Sequence, residues 1–215
     1  MKFRVITIRG FEPSESVADR CIKSASRFGI HVEKHTATRP EDSPAEILLN
    51  EGIPLSGFQE KWSKTARCQS AFLSHYFLWK KCIKDNEPYC IFEHDAVVVD
   101  NLPLNVQFDK LMSIGKPSYG KYNVPANIGV NKLTSKMYLP GAHAYMIKPA
   151  GAKQLVERAK TDAGPTDVFM HIQRFPWLQE YYPWPVEVRE SFTTIQKELG
   201  TRAKHLRNRD QYQIL

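Results

Sequence analysis

A chain of 215 residues with 42% hydrophobic and 11% aromatic side chains can fill a core, which excludes an intrinsically disordered protein and sets the expectation of one domain over residues 1–215. A net charge of +7 favours polyanionic partners such as nucleic acid, an anionic membrane surface or phosphorylated substrates. The opening run Met1 to Arg9 is too short and too charged for a signal peptide or a span, and no longer apolar run follows. The expectation is a soluble, cytoplasmic protein with no transmembrane segment. Cys21, Cys68, Cys82 and Cys90 have no Cys-x-x-Cys spacing, so zinc and redox motifs lack support.

The β-branched run Phe3 to Ile8 predicts a strand. Ser14 to Phe28 predicts a helix with Val17, Cys21, Ile22, Ala25 and Phe28 on one face, ended by Gly29. Ile30 to Thr36 predicts a second strand, and strand, helix, strand opens an α/β sheet. Residues 41–58 read as a loop with a short helix at Ala45 to Asn50. Lys64 to Asp85 is the strongest helix, its wide apolar stripe formed by Ala71, Phe72, Tyr76, Leu78, Trp79, Cys82 and Ile83. Val106 to Ile114 reads as a short helix. Residues 116–134 lack periodicity, and so long a loop in a compact domain is often a functional lid. Ala142 to Ile147 predicts a strand, Pro149 to Ala159 a helix with proline in its first turn, Thr166 to Phe175 a helix, and Val186 to Val188 a late strand. The basic group Lys197, Arg202, Lys204, Arg207 and Arg209 reads as a solvated amphipathic terminal helix.

The segment Tyr89-Cys-Ile-Phe-Glu-His-Asp-Ala-Val-Val-Val99 carries the most chemistry. Its flanks read as a buried strand. Glu93 and Asp95 are costly to bury unless a cation meets them, and a hard divalent ion takes carboxylate oxygens. Strand alternation through these residues would turn both acids one way and His94 the other. The competing reading is a surface turn with solvated acids.

Four segments resemble glycosyltransferase family 25, which includes lipooligosaccharide and collagen sugar transferases: Cys68 to Lys81 with its Ser74-His75 pair, the Glu93-His94-Asp95 strand, Gly141-Ala-His-Ala-Tyr145 and Pro165-Thr-Asp167. The family pattern has a helix bearing Cys and Ser-His, a strand ending Glu-Asp-Asp, a Gly-Thr-His-Ala-Tyr strand and a Pro-Val-Asp. Order and spacing agree over roughly residues 65 to 170, and Arg20 stands where the family has an arginine in its first helix. This chain departs at His94, Ala142 and Thr166. The resemblance implies an α/β, GT-A-type Rossmann-like fold with a mixed, mostly parallel sheet and flanking helices. It also implies a nucleotide-sugar donor, taken as a UDP-sugar, manganese or magnesium as the metal, a glycan or glycoprotein acceptor, and hexosyl transfer with inversion.

Within that reading Asp95 and Glu93 hold the metal, which would stabilise the leaving diphosphate. Asp167 is the base or a sugar-hydroxyl ligand, with a helix N-cap as its bland alternative. His143 is a site residue, against the alternative of a satisfied core histidine. Strand carboxyl ends form the ligand crevice of an open α/β sheet, so Thr7, Arg9 and Thr38 are nucleotide contacts, with His75 beneath the donor. Trp177, Tyr181, Tyr182 and Trp184 either stack on an acceptor sugar or pack as a terminal crust. Two rival functions remain: a metal-dependent nuclease or phosphotransfer enzyme, and a non-catalytic glycan- or nucleic-acid-binding module.

Overall fold

The computed structural model describes residues 1–59, 63–139, 142–189, 192–197 and 213–215. Strand β1 (Lys2–Thr7) leads into helix α1 (Glu12–Ser26), whose first turn carries Pro13 with Glu12 and Glu15, where the unpaired N–H groups and the helix dipole favour them. Next come β2 (Glu33–Thr36), α2 (Pro44–Asn50) and the long α3 (Thr65–Asp85), which Asn86 closes in the left-handed conformation. Strands β3 (Tyr89–Phe92), β4 (Ala96–Val98), β5 (Leu111–Ser113), β6 (Gly129–Lys132) and β7 (Ala144–Ile147) follow. The chain continues through α4 (Pro149–Ala159), α5 (Thr166–Phe169), β8 (Leu178–Tyr182), β9 (Val186–Val188), β10 (Phe192–Thr193) and β11 (Gln213–Ile214).

Seven strands form the central sheet in the order β2-β1-β3-β7-β5-β8-β6. β1 is parallel to β2 and β3, and β5 is parallel to β8, whereas β7 runs against both of its neighbours and β6 against β8. The fold is therefore α/β with a mixed sheet in which most strands point one way, consistent with a Rossmann-like arrangement. Strand alternation divides the core. Ile6, Tyr89, Ile91, Tyr145 and Ile147 face α3 and α4, while Val5, Cys90, Phe92, Ala144 and Met146 face α1. A strand covered on both faces has to be apolar throughout, and Tyr89–Phe92 is buried at every position. Among the described residues no helix is long and apolar enough to cross a membrane.

Several expectations need correction. Residues 106–114 are not a helix: Leu111–Ser113 is a fully buried strand between β7 and β8. Its apolar run fits either period, and the sheet on both sides decides it. The stretch 116–134, read as an aperiodic loop, contains edge strand β6. The expected helix 166–175 ends at Phe169, because residues 171–175 form a separate turn in which the Phe175 N–H donates to the His171 carbonyl at 2.9 Å. β2 begins at Glu33, three residues later than expected. Of the terminal basic group Lys197 is exposed, and Arg202, Lys204, Arg207 and Arg209 lie outside the described residues.

The strand expected from Tyr89 to Val99 is broken. Glu93 keeps register with β7, donating its N–H to the His143 carbonyl at 2.9 Å, and the chain then turns, with the Ala96 N–H donating to the Glu93 carbonyl at 3.1 Å. β4 leaves the main sheet and pairs with β9, Ala96 opposite Val188.

Candidate functional site

The carboxyl ends of β1, β2 and β3 open into a cavity of about 570 Å³. Strands that end together, with helices starting beyond them, leave such a crevice in an open α/β sheet. Arg9 comes from the β1 end, Thr38 and Arg39 from the β2 end, and Glu93, His94 and Asp95 from the turn after β3. Helix α3 presents Arg67, Ser70, Ala71, Ser74 and His75, and Tyr119, His143 and Asp167 also line the cavity. The cavity thus gathers Arg9, Thr38, His75, Glu93, Asp95, His143 and Asp167. Thr7 is not among its lining residues: it is buried, and its hydroxyl donates to the Val5 carbonyl at 3.4 Å.

Because residues 93–95 form a turn, alternation does not send His94 away, and it lines the cavity with the two acids. The Ile8 N–H donates to Ser14 Oγ at 2.9 Å, and Ser14 Oγ lies 2.6 Å from His94 Nδ1. Burial lowers the His94 pKa to about 4, with the Arg20 guanidinium adding to the effect. The ring is therefore neutral near pH 7, and its Nδ1 shares a hydrogen bond with the serine hydroxyl. Arg20 itself lies outside the cavity lining, where its guanidinium donates to the Arg189 carbonyl at 2.5 Å.

A second histidine is fixed more deeply. His75 is 1% exposed, and desolvation lowers its pKa to about 3 against the opposing pull of Asp167. Trp79 Nε1 donates to Tyr145 Oη at 2.8 Å, and that oxygen lies 2.9 Å from His75 Nδ1. The indole only donates, so the phenol hydrogen goes to Nδ1 and the neutral ring carries its proton on Nε2. Nε2 donates to Glu93 Oε1 at 3.2 Å. Trp79, Tyr145 and His75 thus form a buried chain of donors that ends on a cavity carboxylate.

Asp167 is not an N-cap: it sits inside the first turn of α5, with Pro165 at the cap position. Its Oδ1 accepts the Val168 N–H at 2.8 Å, and Tyr119 Oη donates to Oδ2. Burial and the carboxylate drive the Tyr119 phenol far above its ordinary range, so it remains a donor. Lys136 Nζ stands 4.6 Å over the Tyr119 ring. His143 is buried against Gly115, where a Cβ would fall 2.3 Å from its Nε2, so only glycine leaves room for the ring.

Positive charge also reaches the cavity. Arg9, Arg39 and Arg67 line it from three different elements. Arg67 donates to the Thr194 carbonyl at 2.9 Å and to the Leu215 carbonyl, which also receives Lys64 Nζ at 2.9 Å. The sequence reading passed over Arg39, Arg67 and Tyr119. For Arg67 a signal existed: Arg67, Ser70, Ala71 and Ser74 recur at helical spacing as a small or polar stripe on an otherwise apolar helix. Ser74 Oγ accepts the Thr38 N–H at 3.0 Å, which ties that stripe to the exit of β2.

No group of three or more His, Cys, Asp or Glu among the described residues could enclose a metal ion. The available donors, the carboxylates of Glu93 and Asp95, are oxygen only. They fit a hard cation of the kind that takes one or two carboxylates and completes its shell with water and substrate phosphate. Trp177, Tyr181, Tyr182 and Trp184 all lie off the cavity, and Trp177 packs on Phe175 with ring centroids 5.3 Å apart.

The sheet and its strand-end cavity define an α/β protein with a Rossmann-like arrangement. The model for glycosyltransferase family 25, described as a lipopolysaccharide biosynthesis protein, matches residues 65–116. That segment runs through α3, β3, the acidic turn, β4 and β5, and so includes His75, Glu93 and Asp95. The chain resembles this family, and the match supports a glycosyltransferase. No curated protein matches the chain.

Proposed function

We propose that the protein transfers a sugar from a nucleotide diphosphate sugar, a UDP-sugar, to a hydroxyl of a glycan or glycoprotein acceptor, with inversion at the anomeric carbon. One observation carries this reading: the family match falls on the helix and acidic turn that build the floor of the cavity. The strand-end loops bearing Thr38 and Arg9 hold the nucleotide. Asp95 and Glu93 would hold manganese or magnesium, which when bound supplies positive charge against the leaving diphosphate. Arg9, Arg39 and Arg67 add fixed positive charge beside the same diphosphate. His75 keeps Glu93 oriented through a proton position that its own partners determine. Asp167 accepts the proton of the attacking hydroxyl or holds a sugar hydroxyl, and Tyr119 fixes its carboxylate plane. Inversion needs the acceptor and the leaving group on opposite faces of the sugar, with Asp167 serving the acceptor and the acidic turn the leaving group.

Thermal unfolding in the presence of UDP and UDP-sugars, with and without manganese, tests the proposal. A ligand that binds only the folded state raises Tm once its concentration exceeds Kd. Expected is a rise with UDP plus manganese that exceeds the rise with either alone. No rise with any nucleotide diphosphate in the presence of metal would refute the reading.

A further inference from the structure

Trp79 lies on α3 one helical turn beyond His75, so the two side chains share a face. It is fully buried and is not among the residues that line the cavity. Its two chemically different parts reach two different places. The ring stacks on Phe169, with centroids 5.9 Å apart and planes 26° apart. Phe72 meets both rings edge-on, at 5.7 Å and 5.5 Å. Phe169 closes α5, the four-residue helix whose second residue is Asp167. The indole N–H instead meets Tyr145 Oη in β7, at 2.8 Å.

From the indole to the cavity each proton has one place to go. A carboxylate only accepts, so Glu93 Oε1 requires the proton of the His75 ring on Nε2, 3.2 Å away. Burial keeps the ring neutral, and Nδ1 is then an acceptor, met by the Tyr145 hydroxyl at 2.9 Å. That hydroxyl has given its own proton away, and the indole N–H fills its oxygen. The His75 and Tyr145 rings also lie nearly parallel, 21° apart with centroids at 5.8 Å. Removing one member of such a buried chain leaves another polar atom without its partner, so the chain holds one arrangement.

We propose that Trp79 and Tyr145 are positioning residues: through His75 they fix the Glu93 carboxylate at the cavity, and the stacking of Trp79 on Phe169 makes the acidic turn and the Asp167 helix depend on one support. Neither side chain lines the cavity itself. A ring that only filled the core could be exchanged for another of similar size, whereas the chain requires the indole N–H and the phenol oxygen. The proton arrangement rests on these contacts alone. What the oriented Glu93 holds, a metal and the donor diphosphate, rests on the transferase reading above.

Long-range proton–nitrogen NMR of the His75 ring in the intact protein reads the chain directly. Expected is a ring protonated on Nε2 and bare on Nδ1, whose Nδ1 signal moves in Tyr145→Phe and, less, in Trp79→Phe and Phe169→Leu. Calorimetry with UDP reads the consequence. Tyr145→Phe should weaken manganese-dependent UDP binding about three- to tenfold, the size of one hydrogen bond, and leave metal-free UDP binding as it is. Trp79→Phe, which keeps a ring against Phe169 but has no N–H, should act the same way. The double variant should lose less than the two losses combined, because both act through one chain. A ring protonated on Nδ1, or on both nitrogens, would overturn the proposal. So would undiminished metal-dependent binding in both variants, or a fall that is equal with and without metal. An unmoved Nδ1 signal in Phe169→Leu would remove the shared support. If the parent protein binds no UDP, the transferase reading falls and the ring spectrum alone decides the chain; if it binds UDP with an Nδ1-protonated ring, the reading stands and the chain falls.

Discussion

Two glutamates carried by the same sheet show what a carboxylate in this fold can be for. Glu180, in β8, is 1% exposed, and its oxygens are occupied by two backbone N–H groups and an indole. Fixed donors compensate its desolvation, and in return it pins the 134–135 turn and Trp184. Glu93, at the exit of β3, keeps 31% of its side chain exposed to the cavity. Its buried neighbour is His75, which desolvation keeps neutral. A neutral donor orients the carboxylate without cancelling its charge, which leaves that charge to act on whatever enters the cavity. Burial and partners therefore change together: the buried acid is met by fixed backbone and indole donors, and the partly exposed one by a neutral histidine.

The largest effect expected from this contrast is at the acidic turn. Asp95→Ala should abolish metal-dependent UDP binding, measured by calorimetry with and without manganese, and Glu93→Ala should weaken it, both with Tm near that of the parent. Undiminished binding in Asp95→Ala would place the nucleotide elsewhere. Next comes Asp167→Asn, which keeps shape but removes charge. A fall in kcat on the order of a hundredfold is expected, with UDP affinity little changed, the usual size of a general-base contribution. Turnover at the parent rate would leave Asp167 a structural member of the Tyr119 contact. The smallest effect sharpens the other side of the comparison. Glu180→Gln keeps one acceptor oxygen but sets an NH2 group against the Trp184 N–H, so a loss of about 1–3 kcal/mol is expected in chemical denaturation. UDP affinity should not move; a large change there would mean that the two regions are coupled.

The first half of the fold was legible because its elements are long enough for one period to win. α1 and α3 show a continuous apolar face, β1 and β3 are apolar runs between turn residues, and α4 begins at its proline. β5, β6 and β8 were not legible. Each is three to five residues long, and pairing with neighbouring strands of the sheet makes them strands. At the site, residue identity was readable and geometry was not. Glu93, Asp95, His143 and Asp167 stand out by type and motif, but the orientation of His94 depended on a turn that forms only because β4 departs to join β9. The contacts among Tyr122, Ser135, Glu180 and Trp184 left no local trace, since these residues meet only through the fold.

That departure of β4 also bears on when the site can exist. The turn bearing Glu93 and Asp95 is anchored on its far side by β9, through Ala96 opposite Val188, and by the Arg189 N–H, which donates to the Asp95 carbonyl at 3.1 Å. Phe192 then closes against the His94 ring, with centroids 5.6 Å apart. Contacts this distant along the chain form late in folding, because loop closure has to precede them. During synthesis, β1, β2 and β3 can pair while the acidic turn still lacks its outer support. Donor binding should then emerge only after residues 186–192 have left the ribosome, well behind the appearance of protease-resistant sheet.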